Sequence, residues 1–239
     1  MIGLKKIKIV LIIILCVFRI MSSAQVGVAK IDSLKIILKK TKIDTVKINL
    51  MNEIAIEMNR MSDTNSIEYS RKAYQLATKN NYAKGKAMSV YNIAWIYDIR
   101  GDYTTTLKYH LTALSFVDSI HHPKEYARIM SEIGNSHVFL GNPSEALDAY
   151  LTSLRIFERI GDKISVSSAY VGIGNSYYYL NDTAKCLFNY KKALELQTAI
   201  GNKRGALSSL ANLGIIYSDM GEYDLAIQYH EKSIEIERE

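Results

Sequence analysis

The sequence predicts an all-α solenoid built from antiparallel helix pairs. The first observation is a repeat with a period of 40 residues, centred on small residues at Ala94, Gly134, Gly174 and Gly214. The second is composition: two prolines, 13 glycines and 48% hydrophobic residues describe a helical, folded chain of 239 residues. A fixed period is typical of a solenoid, in which each unit buries its apolar face against the next.

Other columns keep the same 40-residue spacing. An aromatic or histidine column lies three residues after the small residue, a turn column seven residues after it, and a small-residue column twelve after it. These columns hold, in turn, Tyr97, His137, Tyr177 and Tyr217; Gly101, Gly141, Asn181 and Gly221; and Thr106, Ala146, Cys186 and Ala226.

One copy, residues 127–166, shows how each pair is built. Apolar residues at helical spacing, such as Ile129 and Ile133, predict a first helix that stops at Gly141. The missing Cβ of this glycine permits a left-handed turn. Asn142 is expected to cap the second helix, with Pro143 at its first position and Glu145 reaching back to the cap. The second helix is expected to end at Gly161-Asp162.

These columns resemble the tetratricopeptide repeat. Two copies carry the pattern as Ile133-Gly134, His137, Ala146, Tyr150 and Ser153, and as Leu213-Gly214, Tyr217, Ala226, His230 and Ser233. The 40-residue spacing, with Ile133-Gly134-Asn135 and Ile173-Gly174-Asn175, resembles the long Leu-Gly-Asn subclass of these repeats. The resemblance implies a right-handed superhelix that binds proteins or peptides.

The predicted organisation is one elongated array behind a targeting segment. Residues 25–46 are expected to form an N-terminal capping helix. The remaining boundaries are a degenerate repeat at 47–86, full repeats at 87–126, 127–166 and 167–206, and a last repeat at 207–239.

Residues 1–24 read as a secretory signal peptide. Basic residues precede an apolar run over residues 9–18, and Ser22 and Ala24 fit the small positions before a cleavage site after Ala24. The run is too short to span a bilayer. An uncleaved anchor is the alternative, because Arg19 could sit at the interface. The mature chain, without a membrane span, is expected to be exported to the periplasm or beyond.

Charge and motifs argue against other functional classes. The formal charge is +6, but four of the 30 basic residues lie in the signal peptide, which leaves 26 against 24 acidic residues. We therefore expect no nucleic-acid partner. No nucleophile elbow, phosphate loop or metal-ligand spacing is found, so neither catalysis, a metal site nor a cofactor is expected. Cys186 occupies a small-residue column and is interpreted as buried.

The resemblance also implies which residues line the groove. In this family the first helices face inwards, and the position after the small residue holds Trp95, Asn135, Asn175 and Ile215. An asparagine there can hold a peptide backbone. Alternatively, Asn135 and Asn175 bridge repeats and meet no ligand. Most tyrosines, together with His110, His137 and His230, are expected in core columns. The candidate groove residues are Tyr91, Trp95, Arg128, Ser131, Asn135, Ser168, Asn175, Tyr178 and Asp219.

The sequence therefore predicts a non-catalytic, exported scaffold that binds a protein or peptide in its groove. The alternative is the sensory input region of a signalling protein, since the arrangement looks similar to exported regions of bacterial histidine kinases and transcriptional regulators. Ile234 and Ile236 in the last helix would normally face another helix. We expect that the array is truncated there or pairs with another chain.

Overall fold

The computed structural model describes residues 26–238, which form eleven α-helices and no strand. The all-α fold class is thereby confirmed. The signal peptide and its cleavage site lie outside the described residues. The chain divides into two compact units, one ending at Arg100 and the other beginning at Gly101.

The helices follow one another with short connections. The first unit contains α1 (26–40), α2 (Asp44–Arg60), α3 (Ser66–Lys79) and α4 (Ala83–Asp98). The second unit contains α5 (Tyr103–Leu114), α6 (Pro123–Phe139), α7 (Pro143–Ile160), α8 (Lys163–Tyr179), α9 (Thr183–Ala199), α10 (Lys203–Asp219) and α11 (Tyr223–Arg238).

In the first unit, apolar packing and a buried amide network hold the helices together. Ile31 of α1 packs with Ile54 and Met58 of α2. Between α2 and α4, the Asn92 Nδ2 donates to the Asn52 carbonyl oxygen at 3.1 Å, and Asn59 Nδ2 donates to the Asn92 carbonyl oxygen at 3.0 Å. Buried polar groups need such partners, so this network fixes how the two helices align.

In the second unit, buried side chains of α7 and of α9 pack against the helix that follows each of them. Tyr150 and Phe157 of α7 pack with Ile173 of α8. One period later, Tyr190 of α9 packs with Leu213 and Ile216 of α10. The second helices α7 and α9 thus contribute aromatic side chains that fill the space beside the following first helix.

Left-handed residues end the first helices at the predicted column. The φ angles are +73° at Gly101, +76° at Gly141, +58° at Asn181 and +78° at Gly221. Asparagine is one of the few residues with a Cβ that tolerates this conformation, which explains Asn181 in a glycine column. The prediction that these residues terminate the first helices is confirmed.

Two local predictions are wrong. Asn142 lies at the N-cap of α7 but its side chain makes no capping hydrogen bond. Pro143 at the first helical position has no N–H, which leaves this helix start one unsatisfied donor fewer, although the donors that a cap binds lie at the second and third positions. His230 was expected in the core and is exposed, since among the described residues no helix follows α11 to cover it.

No helix within residues 26–238 is both long enough and apolar enough to cross a membrane.

Candidate functional site

The first helices α6, α8 and α10 line a pocket in the second unit. We call the side of the unit formed by these three helices the first-helix face. The pocket has a cavity volume of about 240 Å³. We call it the aromatic pocket, and its lining residues are Val138, Phe139, Asn175, Tyr178, Tyr179, Tyr190, Asn212, Ile215 and Ile216.

Exposed aromatic rings give the pocket its character. Phe139 is 60% exposed and Tyr179, its equivalent one period later, is 58% exposed. The Phe139 ring stacks on Tyr103 with centroids 4.4 Å apart, and the Tyr178 and Tyr179 rings meet edge to face at 5.5 Å. Large aromatic side chains that remain exposed in a pocket are typical of binding sites.

A tyrosine on the second helix positions the asparagine of each central repeat. Tyr190 Oη donates to Asn175 Oδ1 at 2.6 Å, and Tyr150 Oη donates to Asn135 Oδ1 at 2.5 Å. Both tyrosine rings are buried, and burial raises the pKa of each phenol, so both stay protonated donors at neutral pH.

In the sequence, the residue in the asparagine column varies together with the residue in the aromatic column of the same repeat. Where the aromatic column holds His110 or His230 in place of tyrosine, the asparagine column holds Trp95 or Ile215. Asparagine therefore occurs only in the repeats whose second helix supplies a phenol. The two interpretations of Asn135 and Asn175 were contact with a ligand and a bridge between adjacent repeats. The side-chain oxygen of each asparagine does neither, because it bonds to a tyrosine of its own repeat.

The two asparagines differ in what their amide nitrogens do. Asn135 Nδ2 donates to Glu132 Oε2 at 2.8 Å, so both ends of its amide are engaged. The position equivalent to Glu132 in α8 is Gly172, because a Cβ there would lie only 2.6 Å from the Tyr150 Cζ. Asn175 Nδ2 consequently has no partner among residues 26–238 and remains able to donate to a ligand.

Two further polar groups lie at the aromatic pocket. The Asn212 side chain makes no hydrogen bond with any other described residue, so its amide has both a donor and an acceptor available. Tyr178 Oη donates to Asp219 Oδ2 at 3.0 Å, which holds the carboxylate beside the pocket and raises the pKa of the Tyr178 phenol. The pocket thus combines aromatic surface with unused hydrogen-bonding groups.

The structure brings together only some of the residues that the sequence proposed. Asn175 and Tyr178 line the aromatic pocket, and Asp219 contacts it through Tyr178. Asn135 lies on α6 with its amide engaged. Tyr91 is 2% exposed and belongs to the core, so the expectation that it faces a partner is wrong. Its position in α4 turns inwards because the helix buries the face that also carries Ala87 and Ala94.

The remaining proposed residues are not among those that line the aromatic pocket. Trp95 is half-buried in α4 and belongs to the first unit. Arg128 lies in the N-terminal half of α6 and Ser131 at its midpoint, and Ser168 lies in the N-terminal half of α8. The Ser131 and Ser168 hydroxyls donate to carbonyl oxygens of their own helices, at 3.2 Å each.

Sequence reasoning missed much of the pocket lining. Phe139, Tyr179 and Asn212 were not selected, and Tyr190 was assigned to the core alone. A signal was present, since the column five residues after the small residue holds Ile99, Phe139 and Tyr179, all large and all exposed. A large apolar residue that recurs outside the buried columns indicates a functional surface.

In the part of the chain that the structure describes, the other titratable side chains do not form a site. His110 is 5% exposed, and burial lowers its pKa to about 4, so it is a neutral core residue. Burial also raises the pKa of the Cys186 thiol to about 11, as expected for an inert cysteine. Within residues 26–238, no cluster of three or more histidine, cysteine or acidic residues could hold a metal ion.

Comparisons with known proteins agree with this architecture. A family model described as tetratricopeptide repeat matches residues 125–199 and 165–239. No curated protein matches the sequence significantly. The crystal structure of BtubC from P. vanneervenii is similar, with a TM-score of 0.71 and 16% identity, over 90% of this chain and 89% of that one.

Two further solved structures share the fold. A Signal Transduction ATPase with Numerous Domains from Pyrococcus horikoshii, which has a tetratricopeptide repeat sensor, superposes with a TM-score of 0.70 and 16% identity. The match covers 90% of this chain but only 35% of that protein. A Rap protein complexed with competence and sporulation factor has a TM-score of 0.69 and 15% identity, over 86% of this chain and 57% of that one. At these identities the likeness shows the fold alone.

Proposed function

Because this chain is a tetratricopeptide-repeat protein, we propose that it is a non-catalytic scaffold that binds a protein or peptide partner on its first-helix face. The observation that carries the proposal is the aromatic pocket, where Phe139, Tyr178 and Tyr179 stay exposed beside amides with unused hydrogen-bonding capacity. An extended peptide could place one side chain among the rings and its backbone against Asn175 and Asn212.

Aromatic residues are the side chains that most often dominate binding energy at protein interfaces. Tyr178 and Tyr179 offer large contact area while losing little rotamer entropy. The Asn175 amide adds a donor whose direction is already fixed, because Tyr190 Oη donates to the oxygen of the same amide at 2.6 Å. Such prior orientation lowers the entropy that binding would otherwise cost.

Peptide selection tests the binding face. A library of random 12-residue peptides is panned against the purified chain, and enriched peptides are measured by fluorescence anisotropy. We expect Tyr179→Ser to weaken binding at least about tenfold, since an exposed anchor is lost without disturbing the core. Leu111→Ser is the matched control, because Leu111 is a comparably exposed apolar residue on the second helix α5.

Two results would overturn the proposal. One is that Tyr179→Ser leaves every enriched peptide bound as tightly as before. The other is that Leu111→Ser weakens binding more than Tyr179→Ser does, which would place the partner on the second helices.

Export is part of the proposal and rests on residues 1–24. The basic start, the short apolar run and the small residues before Gln25 support it. Mass spectrometry of the protein recovered from its native cell should give a mature N-terminus at Gln25. A protein that retains Met1 would refute cleavage and favour the anchored alternative.

A second candidate function is the input region of a signalling protein. The similarity to a structure with a tetratricopeptide repeat sensor, of which the chain matches 35%, favours it. The downstream coding sequence decides this alternative. A reading frame that continues into a membrane helix and a kinase or DNA-binding domain would support it, and a stop codon directly after Glu239 would refute it.

A further inference from the structure

The charge around the aromatic pocket is unusual for this chain. The C-terminal halves of α6, α8 and α10, residues 131–139, 171–179 and 211–219, contain the carboxylates Glu132 and Asp219 but no lysine or arginine. Outside residues 1–24 the chain is nearly balanced, with 26 basic and 24 acidic residues. The helix halves that line the pocket therefore carry negative side chains without positive ones.

Helix geometry adds to this negative potential. The lining residues Val138 and Phe139 lie in the last turn of α6, and Tyr178 and Tyr179 lie in the last turn of α8. A helix C-terminus carries a partial negative charge of about half an electron because its last carbonyl groups have no N–H partner within the helix. Two such ends meet at the pocket.

One carboxylate at the pocket has capacity left for a ligand. Asp219 Oδ2 accepts the Tyr178 hydroxyl at 3.0 Å, and Asp219 forms no ion pair with any residue in 26–238. Glu132, by contrast, accepts from Asn135. Other carboxylates of the second unit do pair with a lysine, as Asp182 does with Lys185 at 2.7 Å and Glu195 with Lys192 at 2.9 Å.

From these observations we infer that the aromatic pocket binds a positively charged side chain of the partner, and that an arginine guanidinium fits it best. This rests on the proposed function and specifies what the first-helix face recognises. The guanidinium would lie against the tyrosine and phenylalanine rings. It would donate to Asp219 Oδ1 and to the Asn212 side-chain oxygen.

Other side chains fit the pocket less well. A carboxylate would face Asp219 and the helix C-termini and would be repelled. An apolar side chain would gain contact with the rings but would remove water from the Asp219 carboxylate and the Asn212 amide without replacing its hydrogen bonds. A lysine ammonium matches the charge, but its compact, strongly hydrated head stacks less well on the rings. The cavity of about 240 Å³ suits one side chain.

The test compares two small probes that differ in the charge of one side chain. Nα-acetyl-arginine methylamide and Nα-acetyl-norleucine methylamide are titrated into the purified chain at low salt, and the aromatic NMR resonances are followed. We expect saturable shifts at Tyr178 and Tyr179 with the arginine probe, at an affinity at least about fivefold higher than with norleucine. Added salt should weaken the arginine probe selectively.

Two variants locate the charge. Asp219→Asn keeps an acceptor for the Tyr178 hydroxyl but removes the negative charge, and it should weaken the arginine probe about tenfold. Asp224→Asn, which removes an exposed carboxylate from α11 outside the pocket, should leave the affinity unchanged.

Several outcomes would overturn the inference: norleucine binding as tightly as arginine, no saturable binding of the arginine probe, or an unchanged affinity in Asp219→Asn. These results are distinguishable from failure of the proposed function. If peptide selection yields ligands that depend on Tyr179 but contain no basic residue, the first-helix face binds peptides and only the arginine specificity is refuted.

Discussion

The hydrogen bond between Tyr190 and Asn175 allows a quantitative test of how the first-helix face is built. Tyr190→Phe removes one oxygen atom and leaves the buried ring in place. Asn175 Oδ1 then loses the donor that lies 2.6 Å away in the native protein. The perturbation is confined to one bond, because the ring contacts of Tyr190 with Leu213 and Ile216 do not involve the hydroxyl.

The expected magnitude follows from the burial of the two partners. An intramolecular hydrogen bond between neutral groups contributes about 1 kcal/mol to the free energy of unfolding. Asn175 is half-buried, so water can reach its freed oxygen and the cost should stay near that mean. A loss of about 1 kcal/mol corresponds to a decrease in Tm of about 2–4 °C for a chain of this length.

A double-mutant cycle isolates the bond from other effects of each substitution. Urea denaturation of the wild type, Tyr190→Phe, Asn175→Ala and the double variant gives the coupling energy, which we expect to be about 1 kcal/mol. Tyr179→Phe is the matched control, since the exposed Tyr179 hydroxyl makes no hydrogen bond with another described residue, and it should change stability by less than about 0.5 kcal/mol. A coupling energy below about 0.3 kcal/mol would refute the claim that Tyr190 holds Asn175 in place.

Three other predictions concern buried groups in the second unit. Burial lowers the pKa of His110 from 6.5 to about 4. Between these two pH values the His110 imidazole takes up a proton in the unfolded chain but stays neutral in the folded chain. Stability should therefore fall by about 3 kcal/mol as the pH drops from about 6.5 to 4, and thermal melts of His110→Gln should lack this component. Gly172→Ala should lower the free energy of unfolding by about 1–3 kcal/mol, because the new Cβ overlaps the Tyr150 ring, and an unchanged urea midpoint would contradict that contact. Cys186, with its thiol pKa raised to about 11 by burial, should react with a thiol reagent at pH 8 only after unfolding, and fast labelling of the native protein would show that it is accessible.

The repeat pattern predicted the fold because it records local requirements. Gly141 and Gly221 occur where the backbone needs a positive φ, and the small residues Ala146 and Cys186 occur where helices approach closely. The first requirement is a property of the local backbone, and the second recurs at a fixed spacing, so both can be read from one chain without knowing what packs against it.

The candidate site was predicted only in part. Tyr178 and Asn175 were selected by helical phase, but the same reasoning included the buried Tyr91 and omitted Phe139 and Tyr179. Helical phase shows which face of the helix a side chain covers, to within one or two residue positions along the helix. Whether that direction ends in a pocket or in the core depends on residues from other helices.

The sequence by itself determined the class of fold, the helix pairs and the residues that end the first helices, because periodicity and backbone preference are local properties. Only the tertiary structure decided that Asn135 is fully engaged while Asn175 keeps a free donor. That difference depends on Gly172, because the Tyr150 ring of the preceding helix occupies the space that a side chain at position 172 would fill. The sequence shows Glu132 and Gly172 at equivalent positions, but only packing between helices shows that Tyr150 occupies the space beside position 172 and so leaves the Asn175 amide without that partner.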